Sequence, residues 1–441
     1  SFVENGLHLI FYFRVFTVIV LRLIRNSEAK MHYITKKWVI LQRALLLFSI
    51  GNNADLHRHN SFMHTCILQS VRYNAQCLNF KEVIIYMGLN KEAVKIGFAY
   101  VGIVVGAGFS TGQEVMQFFT PYGLWSYIGV VLSGLILGFI GRQVAKIGTA
   151  FEATNHESTL QYIFGEKFSK IFDYILVFFL FGIAVTMIAG AGSTFTESFG
   201  IPTWLGALIM TLVIYGTLLL DFNKIVQALG IVTPFLIVMV VLIAIVYLFK
   251  GTVPLNEVDQ VVPKTSIVWG ILKGLQYGGL AFAVGFSTIV AIGGDASKRH
   301  VSGAGAMFGG IVYTILLALI NFALQTEYPN IKDAAIPTLN LANEINSWLG
   351  LILTIIMLAV MYNTILGLCY SFAARFTEPY SKKYHIFIII MMIAAYILSF
   401  VGFADLINSL YNIMGVVGLF IVVAVLIKYF KRKNDNKKHI A

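Results

Sequence analysis

Gly106-Ala107-Gly108-Phe109-Ser110-Thr111-Gly112-Gln113-Glu114 sits at the middle of a long apolar stretch, about 93–119. Three glycines in nine residues are costly for a helix, about 1 kcal/mol each relative to alanine. Unwound backbone at membrane depth persists only where protein buries it or where it lines a watery cavity. Small residues also let two helices approach closely, and packing alone would explain the glycines. It would not explain Ser110, Thr111, Gln113 and Glu114, because polar and ionisable groups at that depth need a purpose and a partner. The stretch therefore reads as a membrane helix broken at mid-depth for binding, with a carboxylate set in the resumed half.

Composition supports the membrane reading. The chain has 441 residues, of which 58% are apolar and only 12% charged, and its mean hydropathy is +0.80. Soluble domains carry about twice that charged fraction. Repeated apolar runs of about 20 residues describe a polytopic helical membrane protein. The formal charge of +11 is spread over short loops and the C-terminus, which reports orientation in a bilayer and not nucleic-acid binding. Cys66, Cys77 and Cys369 have no metal-ligand spacing, and no metal or other cofactor is expected.

Residues 1–86 differ from the rest. They hold five of the nine histidines and ten of the 32 basic residues, and Arg14, Arg22 and Arg43 interrupt their apolar runs. Lys81-Glu82-Val83 can be encoded by AAG-GAG-GTN, a bacterial ribosome-binding sequence, and Met87 follows shortly. The expectation is that 1–86 is a non-native upstream extension, that the natural start is Met87, and that 87–441 is the functional domain. A genuine N-terminal extension is the alternative, and the upstream nucleotide sequence separates the two.

Ten spans follow Met87, at about 93–119, 123–145, 171–196, 203–220, 225–249, 267–292, 304–325, 347–374, 384–402 and 405–428. Pro234 is expected to kink the fifth, and Ser158 to Ile171 reads as an amphipathic surface helix. With both ends on one side, that side holds 18 Lys/Arg and the other only Lys250, Lys264, Lys273 and Lys332. This asymmetry places both termini, counted from Met87, in the cytoplasm of a bacterial cell membrane. The basic tail is 429–441. Two sets of five spans, about 93–249 and 267–428, have opposite orientations, which is an inverted repeat of the kind secondary transporters use. The expected fold is all-α, with ten transmembrane helices as a 5+5 inverted repeat and discontinuous first and sixth helices. Gly278-Gly279-Leu280-Ala281-Phe282-Ala283-Val284-Gly285-Phe286-Ser287 is the expected second break.

Gly102-x-x-x-Gly106-x-Gly108 resembles the broken first helix of transporters with the leucine-transporter fold. Ala281 to Phe286, followed by Gly293-Gly294-Asp295 and Lys298-Arg299, resembles the sixth helix and following loop of amino acid–polyamine–organocation permeases. The nonapeptide with Gln117-Phe118-Phe119 is similar to the bacterial YkvI family of membrane proteins, classed with amino-acid permeases. The resemblance covers about 87–430. It implies a sodium site formed by the carbonyls of Gly102 and Val105 with Asn363 and Thr364, although an asparagine departs from the family's hydroxyl pair. A polar pair satisfied within the bundle explains Asn363 and Thr364 equally well.

At a helix break, free N–H groups with the partial positive charge of the helix end face inward. Those of Phe109, Ser110, Thr111 and Gly112 could hold a substrate carboxylate, and orphan carbonyls near Val105 suit an ammonium group. A zwitterionic amino acid satisfies both. Gly106, Ala107 and Gly108 complete the break, and Phe109, Phe282, Ala283, Gly285 and Phe286 are candidates to enclose a side chain. Thr186, with Ala189, Gly190 and Gly192, would set the room available. Glu114 is a proton acceptor, a partner for a cationic group, or a carboxylate stabilising its helix N-terminus by up to about 1 kcal/mol. As an anion it would repel a substrate carboxylate at the same site, and a protonated Glu114 would remove that conflict. Asp405, Asn408 and Asn412 form one polar stripe. His156, His300, His385 and His439 are not expected to be ligands.

The function expected is secondary transport of an amino acid or similar small zwitterion by alternating access, with Na+ or H+ as the coupling ion. The bilayer and this small molecule are the expected partners. A non-transporting membrane receptor or scaffold that retains the fold is the alternative. No paired intramembrane carboxylates or His/Cys pattern points to an enzyme, and no repeated filter points to a channel.

Overall fold

Helices make up all the regular structure among the described residues of the computed structural model, which are 89–153, 155–219, 232–254, 257–263, 266–378 and 380–438. The extension expected over 1–86 and the start expected at Met87 lie outside the described residues, as does the end of the basic tail at 439–441.

The first helix, α1 (Lys91–Val104), stops at mid-stretch. One turn at Ala107–Ser110 follows, and the helix resumes as α2 (Gln113–Phe118). Next, α3 (Ser126–Leu135) and α4 (Gly141–Phe151) join through a π-helical turn at Ile136–Ile140. Then come α5 (Glu157–Phe199), α6 (Thr203–Leu218) and α7 (Val232–Lys250). The later helices are α8 (Ile267–Gly294), α9 (Arg299–Thr326), α10 (Pro337–Ile345), α11 (Ser347–Phe376), α12 (Lys382–Ser399) and α13 (Asn412–Lys438). A second π-helical turn, Ile407–Tyr411, leads into α13.

Seven helical stretches among the described residues are long and apolar enough to cross a membrane. α6 and part of α7 (Pro234–Lys250) are shorter apolar helices. The chain is a multi-pass helical membrane protein. In α5 and α9, 72% of the most apolar window is buried, against 33% in α12, so α5 and α9 belong to the interior and α12 to the lipid-facing periphery. α8 packs on α13, α3 and α4; α9 packs on α1 and α4; α5 packs on α11 and α6.

Two local expectations are corrected. The separate helix expected at Ser158 to Ile171 is present as the first part of α5, set off from the span that follows by a kink at Gly165, seven residues into the range, whose φ of +78° is easy for glycine alone. Pro234 lies in the first turn of α7 rather than kinking it, and an N-terminal turn has no use for the missing N–H. Most importantly, α8 is one unbroken helix from 267 to 294, so the discontinuity expected over 278–287 is absent.

The glycines of α8 serve contact instead. A Cβ on Gly279 would stand 2.4 Å from the Gly415 carbonyl, one on Gly293 2.3 Å from that of Ala145, and one on Gly294 2.1 Å from that of Ala153. Backbone lies against backbone there, which is the small-residue packing of membrane helices. Gly418 of α13 faces Gly279 most tightly, its Cβ position being 1.9 Å from the Gly279 oxygen. Gly418→Val should therefore cost roughly 2 kcal/mol or more through overpacking. Thermal unfolding of the detergent-solubilised protein measures it, and an unchanged midpoint would rule out this close approach.

Candidate functional site

The break is held by its own hydrogen bonds and by a distant helix. Ser110 N–H donates to the Gly106 carbonyl at 3.1 Å and Gly112 N–H to that of Phe109 at 3.1 Å. The Thr111 hydroxyl donates to the Gly108 carbonyl at 2.8 Å. Gly112 adopts φ +78° and starts α2. From the first turn of α10, Thr338 donates its N–H to the Thr111 carbonyl at 3.1 Å and its hydroxyl to the Ser110 carbonyl at 2.5 Å. Protein thus satisfies the unwound carbonyls on one side, as mid-membrane backbone requires.

The other side faces a cavity of about 610 Å³. Gly102, Gly106, Gly108 and Glu114 line it from the broken helix, Ala283 from α8, and Asn363 and Thr364 from α11. Of the residues expected at a site, these are the ones the structure brings together. Its apolar wall comes largely from α5, through Leu176, Phe179, Ile183 and Met187, with Leu280 and Val284 opposite. Phe109, Phe282 and Phe286 are fully buried elsewhere: Phe109 lies against Tyr313, with ring centroids 5.4 Å apart, and Phe282 against Phe286 at 5.8 Å. Gly285 packs on Tyr100 and Val104. Thr186 is buried and returns its hydroxyl to the Gly182 carbonyl at 2.9 Å. Val105, Ser110 and Thr111 are buried off the cavity, and Gly112 packs on Thr338. The Ala107 side chain lies outside the described residues. Because the Ser110 and Gly112 N–H groups are spent within the break, the anion cradle expected over Phe109 to Gly112 is not free as a set.

Glu114 folds back over the break. A Cβ on Gly108 would stand 2.0 Å from Glu114 Oε1, while Oε2 accepts from the Tyr277 hydroxyl at 2.9 Å. Tyr277 in turn makes a short hydroxyl–hydroxyl contact with Tyr313. A carboxylate, two phenols and an exposed stretch of backbone can accept a cationic group or pass a proton.

The cavity reaches to the end of the bundle that carries the basic loops, where Asn155, His156, Asp173 and Arg375 line it. His156 Nε2 lies 2.9 Å from Asp173 Oδ1, and its Nδ1 lies 2.6 Å from the Ser287 hydroxyl. Arg375 donates to the other Asp173 oxygen. The network ties α5, α8 and α11 together beside the cavity, with Asp173 only 9% exposed. Sequence reasoning sets His156 aside as a non-ligand, names Ser287 only as the end of the expected second break, and gives Asp173, Tyr277 and Tyr313 no role. Asp173, just inside an apolar span, was the one legible signal, since a carboxylate there needs a partner.

Polar contacts link the helices at the opposite end. Gln117 donates to Asn408 Oδ1 at 2.6 Å, Lys273 donates to Asn412 Oδ1 at 2.8 Å, and Gln276 donates to the Asn412 carbonyl at 2.8 Å. The Lys273 ammonium also lies 5.5 Å from the Phe118 ring centroid. Asn408 and Asn412 of the polar stripe therefore tie the turn at Ile407–Tyr411 and the start of α13 to α2 and α8, with Asn408 itself exposed.

No family model matches the chain. It is similar to two Bacillus subtilis proteins, the uncharacterised membrane protein YkvI and the uncharacterised protein YyaD. YkvI is 28% identical over 350 residues, which is 78% of this chain and 98% of that protein. YyaD is 27% identical over 333 residues, covering 74% and 94%. Among solved structures, the Eremococcus coleocola manganese transporter superposes with a TM-score of 0.54 at 15% identity, over 79% of this chain and 80% of that one. MhsT in complex with L-phenylalanine gives a TM-score of 0.50 at 14% identity, over 77% and 98%. The fold is one that transporters use.

Proposed function

We propose that the chain is a secondary active transporter carrying an amino acid or similar small zwitterion across the bacterial cytoplasmic membrane by alternating access. One observation carries this reading: a cavity runs from a helix broken at mid-depth to one end of the bundle, and among the described residues its lining includes none of the amide and lysine cluster at the other end. A channel would need both ends connected, and a scaffold would need neither. In this reading ten spans form a 5+5 inverted repeat, with α1 and α2 as one broken span and α6 and α7 completing the count. The basic end lies in the cytoplasm, so the cavity faces inward.

The substrate's ammonium group pairs with Glu114 and the break, and its side chain lies against the apolar face of α5. A cavity of this size is ordinary for a small-molecule site. The cavity wall that α5 supplies is apolar, through Leu176, Phe179, Ile183 and Met187, so the phenylalanine bound by MhsT is the better guide to substrate class than the manganese of the other neighbour. The coupling ion is a proton at Glu114, or sodium at Gly102, Val105, Asn363 and Thr364.

Uptake into proteoliposomes tests this, with an amino-acid panel and Mn²⁺ offered under separate sodium and proton gradients. Concentrative uptake of at least one amino acid is expected. Binding of one without movement under any gradient would turn the reading to a receptor, and accumulation of Mn²⁺ alone would overturn the substrate class.

The His156–Asp173–Arg375 network acts in this reading as the latch of the cytoplasmic end. Asp173→Asn removes the charge both partners face, an interaction of about 1.5–3 kcal/mol for a charged hydrogen bond. The uptake rate should change by about tenfold or more while substrate affinity stays within about threefold. An equal loss in both would make Asp173 a substrate ligand instead.

A further inference from the structure

Two buried phenols stand behind the Glu114 carboxyl, and while that carboxyl is ionised their hydrogens point one way. Tyr277 of α8 is fully buried and Tyr313 of α9 is 1% exposed. The Tyr277 hydroxyl touches both Glu114 Oε2, at 2.9 Å, and the Tyr313 hydroxyl. An ionised carboxylate only accepts, and a phenol has one proton to give. Tyr277 therefore gives its proton to Glu114, and the Tyr313 proton fills the contact between the two phenols. The chain runs from Tyr313 to Tyr277 to Glu114, and a donor that itself receives a hydrogen bond donates more strongly.

The broken helix holds both rings in place. Tyr277 packs on Phe118 and Phe119, with ring centroids 5.3 and 4.9 Å away, and Tyr313 packs on Phe109 at 5.4 Å. Rings fixed by aromatic packing keep their hydroxyls aimed without help from the carboxyl. Tyr411, in the turn at Ile407–Tyr411, also faces Glu114. Lys273, one turn before Tyr277 on α8, lies by the Phe118 ring and donates to Gln276 and Asn412. His156, Glu157, Asp173 and Arg375 stand at the cavity mouth.

The two carboxyl oxygens of Glu114 thus have different roles. Oε2 is turned to the phenols, whereas Oε1 lies over Gly108, and Gly108 and Glu114 both line the cavity. A proton arriving on Oε1 leaves the chain of donors as it is. A proton on Oε2 forces Tyr277 to turn its hydrogen toward Tyr313, which displaces the Tyr313 hydrogen from its acceptor. We propose that Tyr313 is a positioning residue that acts through Tyr277: the pair fixes Oε2 and leaves Oε1 as the oxygen that exchanges a proton with the cavity. The inference rests on the transport reading in one respect, since it makes that proton the coupling ion.

Infrared difference spectra of the full chain in lipid vesicles, with the Glu114→Gln spectrum subtracted, read the protonated carboxyl band of Glu114 as pH is varied. Tyr277→Phe and Tyr313→Phe keep the rings and remove one hydroxyl each. The half-point of the band should rise by about one to two pH units in Tyr277→Phe and by about 0.5 unit in Tyr313→Phe. In Y277F/Y313F it should match Tyr277→Phe, because Tyr313 reaches Glu114 only through Tyr277. A half-point unmoved by Tyr313→Phe overturns the proposal. So does a shift in the double variant equal to the sum of the two, which would have Tyr313 act on Glu114 directly. If Tyr277→Phe fails to fold, Tyr313→Phe alone decides. The band is read without substrate movement, so the two readings fail separately. A half-point that shifts as expected, with no uptake under any gradient, supports the pairing and removes transport. Uptake by a protein whose Glu114 band does not change with pH keeps transport and overturns the pairing.

Discussion

Glu114→Gln should abolish concentrative uptake in proteoliposomes, by about a hundredfold or more, while leaving the fold intact. The amide has nearly the shape of the carboxyl, still lies over Gly108, and its oxygen still accepts from the Tyr277 hydroxyl that now stands 2.9 Å from Oε2. What it loses is charge and the ability to take up a proton. If Glu114 pairs with the substrate ammonium, breaking a buried charge pair costs about 3–5 kcal/mol, more than a hundredfold in affinity. If it carries only the coupling proton, substrate binding and one-for-one exchange survive while accumulation does not. Counterflow in vesicles preloaded with substrate separates the two. Uptake at the wild-type level would remove Glu114 from the site altogether. Tyr277→Phe offers a milder comparison, since a single hydrogen bond to a charged group is worth about 1.5–3 kcal/mol.

The break around Gly108 and the apparent break around Gly279 look alike as sequence, and only one is a break. At 106–114 the glycines adjoin Ser110, Thr111 and Glu114, whose hydrogen-bonding groups can replace the lost helical bonds, and Thr338 supplies the remainder from 228 residues away. At 278–287 the neighbours are Leu280, Ala281, Phe282 and Ala283, which offer an unwound backbone nothing, and the one hydroxyl, Ser287, lies at the far end and bonds His156. The difference was therefore in the flanking chemistry. What a glycine packs against was not legible, because Gly415 and Ala145 meet α8 only in the folded bundle.

The same limit explains the site. Gly106, Gly108, Glu114, Asn363 and Thr364 share a cavity because broken backbone and isolated polar groups are conspicuous in apolar spans. The phenylalanines lie away from the cavity, since an aromatic near a glycine fills the core as readily as it lines a site, and Phe282 and Phe286 are completely buried. His156 and Arg375 meet through Asp173, which is 17 residues from one and 202 from the other. No local pattern encodes a meeting of that kind, and either residue alone is an ordinary member of a basic loop.

Gly108→Ala provides the sharpest test of the break, because the three atoms nearest to the added methyl group all belong to Glu114. The added Cβ would stand 2.0 Å from Glu114 Oε1 and 2.8 Å from its carboxyl carbon. The far end of a flexible side chain gives way before backbone does, so the fold should survive with Glu114 turned out of its place and its Tyr277 contact broken. Uptake should fall by about tenfold or more, with loss of stability near the 1–3 kcal/mol of ordinary overpacking. Gly108→Leu fills more of the cavity and should abolish substrate binding. In the double variant G108A/E114A the clash has no partner, so the melting temperature should recover while uptake stays lost. That non-additivity is the mark of two residues acting through one contact. Should Gly108→Ala transport normally, Glu114 would not lie over the break, and a mid-depth site would lose its principal support.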